Sequence, residues 1–301
     1  MGTGGEHKMN KKIRFMITIL ILVFLFWKIS LAEVLSILEK TNLLYLLLTT
    51  PLISSLYVIR TLKWEIMLRA VHIETHFIRD MIYLLKGMFY GLATPGRAGE
   101  LGRALFFEQK PAVFATVVWE KITDVMVLLV LSMISLLFFF TDPFLFWLTV
   151  ALGIIIFGMT VILIHTKTIL YLTSLFMIPT GSSQEYLTYT RRCAYDLKLN
   201  LWLFALTMFY YTICFVIGYI VLYAIQPALS PLLIFSLPLI ILLGNIPITL
   251  SGIGIREAVT SIAFHSLGAE AVYGASYAFL LFFLITVIPG LVGGVLHQYE
   301  K

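Results

Sequence analysis

The chain alternates long apolar runs with short polar interruptions, and the spacing of those interruptions sets the elements it predicts. No Asp, Glu, Lys or Arg occurs between residues 199 and 255, and none between 271 and 299. A helix needs about 20 mostly apolar residues to cross the hydrocarbon core of a bilayer. The first run is too long for one crossing, and Gln226-Pro227-Ala228-Leu229-Ser230-Pro231 divides it. Neither run shows the apolar–polar alternation of a membrane β-barrel. The pattern therefore predicts an all-α polytopic membrane protein with six full spans, at about 13–31, 42–59, 112–140, 144–165, 200–223 and 271–296. The first span follows Lys8, Lys11, Lys12 and Arg14, as a signal peptide would. It is long and no A-x-A cleavage pattern follows it, so it is read as uncleaved. Leu31, Val34, Leu35 and Leu38 recur at helical spacing opposite Glu33, Ser36 and Glu39, which predicts a short amphipathic helix at the membrane interface.

Two segments do not fit as spans. Residues 77–107 hold an apolar stretch, 81–93, and then Thr94-Pro95-Gly96-Arg97-Ala98-Gly99-Glu100-Leu101-Gly102-Arg103. Residues 231–267 hold an apolar stretch, 232–244, and then Pro247-Ile248-Thr249-Leu250-Ser251-Gly252-Ile253-Gly254-Ile255-Arg256-Glu257. Each apolar stretch is too short to cross, and a second short helical stretch follows each. Both are read as re-entrant hairpins of broken helices, which a membrane tolerates only where protein or a watery cavity satisfies the backbone. One hairpin falls in 42–140 and the other in 200–297, with a cytoplasmic loop at 166–198 between the two units. In this scheme the first hairpin enters from the cytoplasm and the second from outside. The units then form an inverted repeat, a recurring transporter plan.

Composition agrees: 60% of residues are hydrophobic and 12% charged, against about 25% charged in a soluble domain. The net charge of +5 comes from basic residues beside apolar spans, so it reads as topology rather than as nucleic-acid binding. Cytoplasmic loops collect Lys and Arg. That rule puts the N-terminal cluster, region 60–110, loop 166–198 and Lys301 in the cytoplasm of a multi-pass plasma-membrane protein, with both termini inside. Cys193 and Cys214 form no metal-ligand spacing or disulfide framework, and His72, His76, His165, His265 and His297 are scattered. No P-loop occurs, and no metal or cofactor is expected. Gly290 and Gly294 have the spacing of helix packing, and Trp27, Trp64 and Trp202 read as interfacial anchors.

The chemistry concentrates where the helices break. A helix that starts inside the membrane presents free N–H groups and a partial positive charge. Such termini are expected near Gly99, flanked by Arg97 and Arg103, and near Gly254, beside Gly252 and Arg256. Together they form an anion site, with phosphate as the anion. Ion pairs of Arg97 or Arg103 with Glu100, and of Arg256 with Glu257 or Glu120, are the structural alternative. Glu120 and Asp124 lie four apart on one helix face and need a cation between them or beside them.

Pro95-Gly96-Arg97-Ala98-Gly99-Glu100-Leu101-Gly102-Arg103 resembles the P-x-R-x-G-E-x-x-R signature of the lysylphosphatidylglycerol synthase transmembrane family, also called flippase-like domains. Glu120-Lys121-Ile122-Thr123-Asp124 resembles that family's E-[RK]-x-x-D segment. Gly252-Ile253-Gly254-Ile255-Arg256-Glu257 resembles its G-G-x-G-x-R-E element, with Ser251 where Gly is usual. Arg60-Thr61-Leu62-Lys63-Trp64 resembles an early basic-Trp element. The resemblance implies the lipid-translocating half of such synthases without the soluble aminoacyltransferase domain. The leading expectation is therefore a translocase, not an enzyme, for an anionic or zwitterionic phospholipid or lipid-linked headgroup. Arg97, Gly99, Glu100, Arg103, Glu120, Asp124, Gly252, Gly254, Arg256 and Glu257 are its candidate substrate-binding residues. The alternatives are an intramembrane transferase on a lipid phosphate, or a membrane partner of a separate glycosyl- or aminoacyl-transferase. Membrane lipids are the expected partners, with a homodimer left open.

Overall fold

A computed structural model of the chain describes residues 31–140, 143–165, 182–246, 249 and 251–299. The predicted first span, with Trp27, lies outside them. Helix α1 (Leu31–Lys40) forms as its apolar spacing predicts, and Ile37 and Leu38 pack toward Val272 and Ala275. Asn42 then caps α2 (Leu43–Ala70), its Oδ1 accepting the Leu44 N–H at 3.0 Å. The hydropathy pattern ends this span at residue 59, but the helix continues to Ala70. Arg60 and Lys63 lie inside it and are buried, because carboxylates on other elements answer their charge.

Helix α3 (Phe77–Leu92) runs into a turn and then a 3-10 segment, Ala98–Phe106. Next come α4 (Lys110–Phe138), α5 (Pro143–His165), α6 (Ser182–Tyr195) and α7 (Leu197–Ile225). A 3-10 turn, Pro231–Ser236, leads into α8 (Leu237–Gly244), followed by α9 (Ile255–Ser266). The chain closes with α10 (Ala271–Phe282), a π-helical turn at Phe283–Val287 and α11 (Ile288–Tyr299). Among the described residues there is no strand. Among the described residues four helices are long and apolar enough to cross a membrane: α2, α4, α7 and the continuous rod Ala271–Gln298. Leu47, Phe157, Leu201, Phe209 and Leu291 lie more than half exposed on outer faces. The protein is a polytopic all-α membrane protein.

Both interrupted segments are broken helices, and each folds back on itself. The second arm of the first hairpin is 3-10 rather than α. Gly99 explains the close approach of its arms: a Cβ there would overlap the Tyr90 carbonyl. Packing between the halves is reciprocal. The second half of the last rod, α11, packs on α3 of the first hairpin, while α4 packs on α8 of the second, and α2 packs on α7. Gly293 carries the first of these contacts, since a Cβ on it would overlap the Leu85 carbonyl. Gly290 and Gly294 meet Leu92 and Phe89 in the same interface.

The predicted loop at 166–198 contains α6, which lies against α4 and buries Tyr186 and Cys193. The Asn200 amide secures the α6–α7 corner, donating to the carbonyls of Cys193 (2.9 Å), Ala194 (3.1 Å) and Asp196 (2.8 Å). Burial pushes the Cys193 thiol up to about 12. At neutral pH it is a small apolar side chain rather than a nucleophile.

Candidate functional site

Helices α2 and α4 carry complementary charges at helical spacing. Arg60 and Lys63 share one face of α2, and Glu120 and Asp124 share one face of α4. Lys63 Nζ pairs with Asp124 Oδ1 and reaches Thr207 Oγ1 on α7 at 3.3 Å. Arg60 Nε lies 3.5 Å from Glu120 Oε1. Its Nη2 donates at 2.5 Å to Glu100 Oε2, on the 3-10 segment of the first hairpin.

Glu100 is the hub of this cluster. Its carboxylate also receives Lys121 Nζ from α4 and lies 3.1 Å from Arg97 Nε. Arg103 pairs with Glu120 from the other side, its guanidinium 4.2 Å from the centre of the Trp64 ring. Trp64 is not the interfacial anchor its sequence position predicts. It is fully buried, with Nε1–H donating to Thr116 Oγ1 at 3.2 Å. Trp202 by contrast is exposed, as an anchor should be.

The second hairpin turns through three left-handed residues in close succession: Ser251 (φ 50°), Gly252 (φ 80°) and Gly254 (φ 88°). Backbone of this kind favours glycine, which explains why Ser251 is the departure in the motif. At Gly252 even a Cβ has no room, because it would overlap the Gly244 carbonyl. The apices of the two hairpins touch: the Ser251 N–H donates to the Thr94 carbonyl at 3.3 Å. Arg97, at the first apex, is also left-handed (φ 59°).

Beside this junction lies a cavity of about 100 Å³. Arg60, Lys63, Arg97, Lys121, Arg256 and Asp124 supply its charged wall. Leu237, Ile240, Leu281 and Phe282 supply part of an apolar wall. Arg256 differs from every other cation here. Among the described residues it makes no ion pair, and its buried Nε has no hydrogen-bond partner. Its guanidinium rests 4.4 Å from the centre of the Phe282 ring. A buried charge without a counter-ion is costly, and this guanidinium lines the cavity.

The ten residues singled out in the sequence therefore divide. Arg97, Asp124 and Arg256 face the cavity. Glu100, Arg103 and Glu120 lie buried behind it and hold the first hairpin against α2 and α4. Gly99, Gly252 and Gly254 shape the apices. Glu257 caps its own helix, its Oε2 accepting the Gly254 N–H at 2.7 Å, and makes no ion pair with Arg256 among the described residues. The expected free amides are already used: the Gly99 N–H donates to Thr94 Oγ1 at 2.7 Å, and the Gly254 N–H to Glu257. These two amides are therefore not free to bind an anion.

Sequence reasoning gave no site role to Arg60, Lys63, Lys121, Tyr210 or Tyr211, all of which line the cavity. For the first two the signal was present: the spacing of 60 and 63 complements that of 120 and 124.

A family model described as the lysylphosphatidylglycerol synthase transmembrane region matches residues 12–294. The chain belongs to this family. A UPF0104 membrane protein of Pyrococcus horikoshii is similar to it, 23% identical over 329 residues that cover 96% of each chain. The motifs by which the chain resembles the lysylphosphatidylglycerol synthase transmembrane family map onto one place. The P-x-R-x-G-E-x-x-R segment is the first apex, E-[RK]-x-x-D is the α4 face, the late glycine element is the second apex, and the basic-Trp element is the buried face of α2.

Proposed function

We propose that this protein translocates a lipid with an anionic phosphate headgroup across the plasma membrane, with both termini in the cytoplasm. The phosphate binds in the cavity where the two hairpin apices meet, held by Arg97 and Arg256. One observation carries this reading: Arg256 is buried without a counter-ion and faces the same cavity as Arg97. Arginine matches phosphate through two parallel N–H···O bonds, and burying it in a membrane costs about 2.5–3.5 kcal/mol on insertion scales. A bound anion offsets that cost.

The surrounding carboxylates keep the arginines in place. Glu100 orients Arg97, and Glu120 with Arg103 fixes the hairpin that carries both. The apolar wall beside the guanidinium suits the start of a hydrocarbon chain. Here the apices of the two units touch through the Ser251–Thr94 backbone hydrogen bond, and rocking of one unit against the other would open the cavity first to one side and then to the other.

The test is translocation of a fluorescent anionic phospholipid in proteoliposomes. Arg97→Ala combined with Arg256→Ala should slow it at least tenfold, while the protein stays monodisperse. A double variant that flips lipid at the wild-type rate would show that the phosphate binds elsewhere.

A further inference from the structure

We infer that the site selects a lipid phosphate monoester, a small dianionic headgroup, and rejects headgroups that carry an ammonium. The inference rests on the function proposed above and goes on to specify its substrate. Its first support is charge. Among the described residues the cluster brings together six cationic side chains, Arg60, Lys63, Arg97, Arg103, Lys121 and Arg256, and four carboxylates, Glu100, Glu120, Asp124 and Glu257, a surplus of two positive charges. A phosphate monoester carries about −1.5 to −2 at neutral pH, and a diester carries one charge. The surplus suits the monoester better.

The second support is that each carboxylate is already held. Glu100 receives Arg60, Arg97 and Lys121. Glu120 receives Arg103 and Arg60, and Asp124, the one that faces the cavity, receives Lys63. Glu257 accepts the Gly254 amide. A headgroup ammonium entering here meets five cations, Arg60, Lys63, Arg97, Lys121 and Arg256, and one carboxylate, Asp124, that Lys63 already pairs. Repulsion of this kind discriminates as effectively as new contacts do.

The third support is size. A water position needs roughly 10–15 Å³ of such space, so a cavity of about 100 Å³ takes a phosphate and a few waters.

The test is competitive lipid retention by the purified full chain, read by native mass spectrometry. The probes are dioleoyl phosphatidic acid, phosphatidylglycerol and lysyl-phosphatidylglycerol at equal concentration, with inorganic phosphate as a soluble competitor. Phosphatidic acid should be retained at least tenfold over lysyl-phosphatidylglycerol and at least threefold over phosphatidylglycerol. Arg256→Gln should bring these ratios to within twofold, and Arg256→Lys should restore part of them. Because a variant could fail to fold, each is compared at unchanged elution and melting temperature, with Arg97→Gln as the second reporter. Smaller ratios, or the reverse order, with retention still lost in the arginine variants, would overturn the monoester preference and leave the translocase reading intact. Displacement of phosphatidic acid by an equal concentration of inorganic phosphate would overturn the lipid part of the inference. Retention indifferent to both arginine variants would overturn the site itself, and the function proposed for it.

Discussion

Two buried arginines, each lying over an aromatic ring, have opposite roles. Arg103 over Trp64 is paired with Glu120, and Arg256 over Phe282 is paired with nothing among the described residues. Removing one partner of a buried ion pair costs about 3–5 kcal/mol, whereas replacing both with apolar side chains is often neutral. Arg103→Ala should therefore lower the melting temperature in detergent sharply, and Arg103→Met with Glu120→Leu should recover most of the loss. Arg256→Ala should leave the melting temperature unchanged or raised, since it removes a buried charge that makes no ion pair among the described residues. A fall as large as that of Arg103→Ala would mean that Arg256 is a structural residue. The sequence singled out these charges but not which of them face the cavity. Arg97 and Arg103 stand in one motif with the same flanks, and only their contacts separate a cavity-facing guanidinium from a strut.

Among the elements, the broken helices were legible and the long one was not. Apolar stretches too short to span, each followed by Pro, Gly and Arg, mark a chain that turns back inside the membrane, and both hairpins form. The end of α2 was misjudged because hydropathy treats Arg60 and Lys63 as solvent-seeking. Their partners, Glu100 and Asp124, lie 40 and 61 residues away, beyond the reach of any local window. The 3-10 character of Ala98–Phe106 and the helix α6 were missed for a related reason: close packing on α3 and on α4 decides them. One such close approach is testable. Gly293 on α11 faces the Leu85 carbonyl with no room for a Cβ, and overpacking of this kind costs about 1–3 kcal/mol. Gly293→Val should lower the melting temperature accordingly and expose the first hairpin to proteolysis. Unchanged protease resistance and melting would show that α11 does not clamp the hairpin.

For the whole molecule, the reciprocal packing matters most. Each half lends its hairpin to the other half's last rod, so neither half can shift without moving an apex. The surplus of guanidinium and ammonium groups around the junction has an electrical consequence. In the proposed translocation cycle the site is positive without its lipid and close to neutral once a dianionic headgroup is bound. Each elementary charge carried across 100 mV is worth about 2.3 kcal/mol, so membrane voltage acts mainly on the empty return step. Net lipid movement in vesicles should then respond several-fold to a potassium diffusion potential, while one-for-one exchange, in which the site travels filled both ways, should hardly respond. Equal sensitivity of the two fluxes would mean that the surplus charge does not travel with the site.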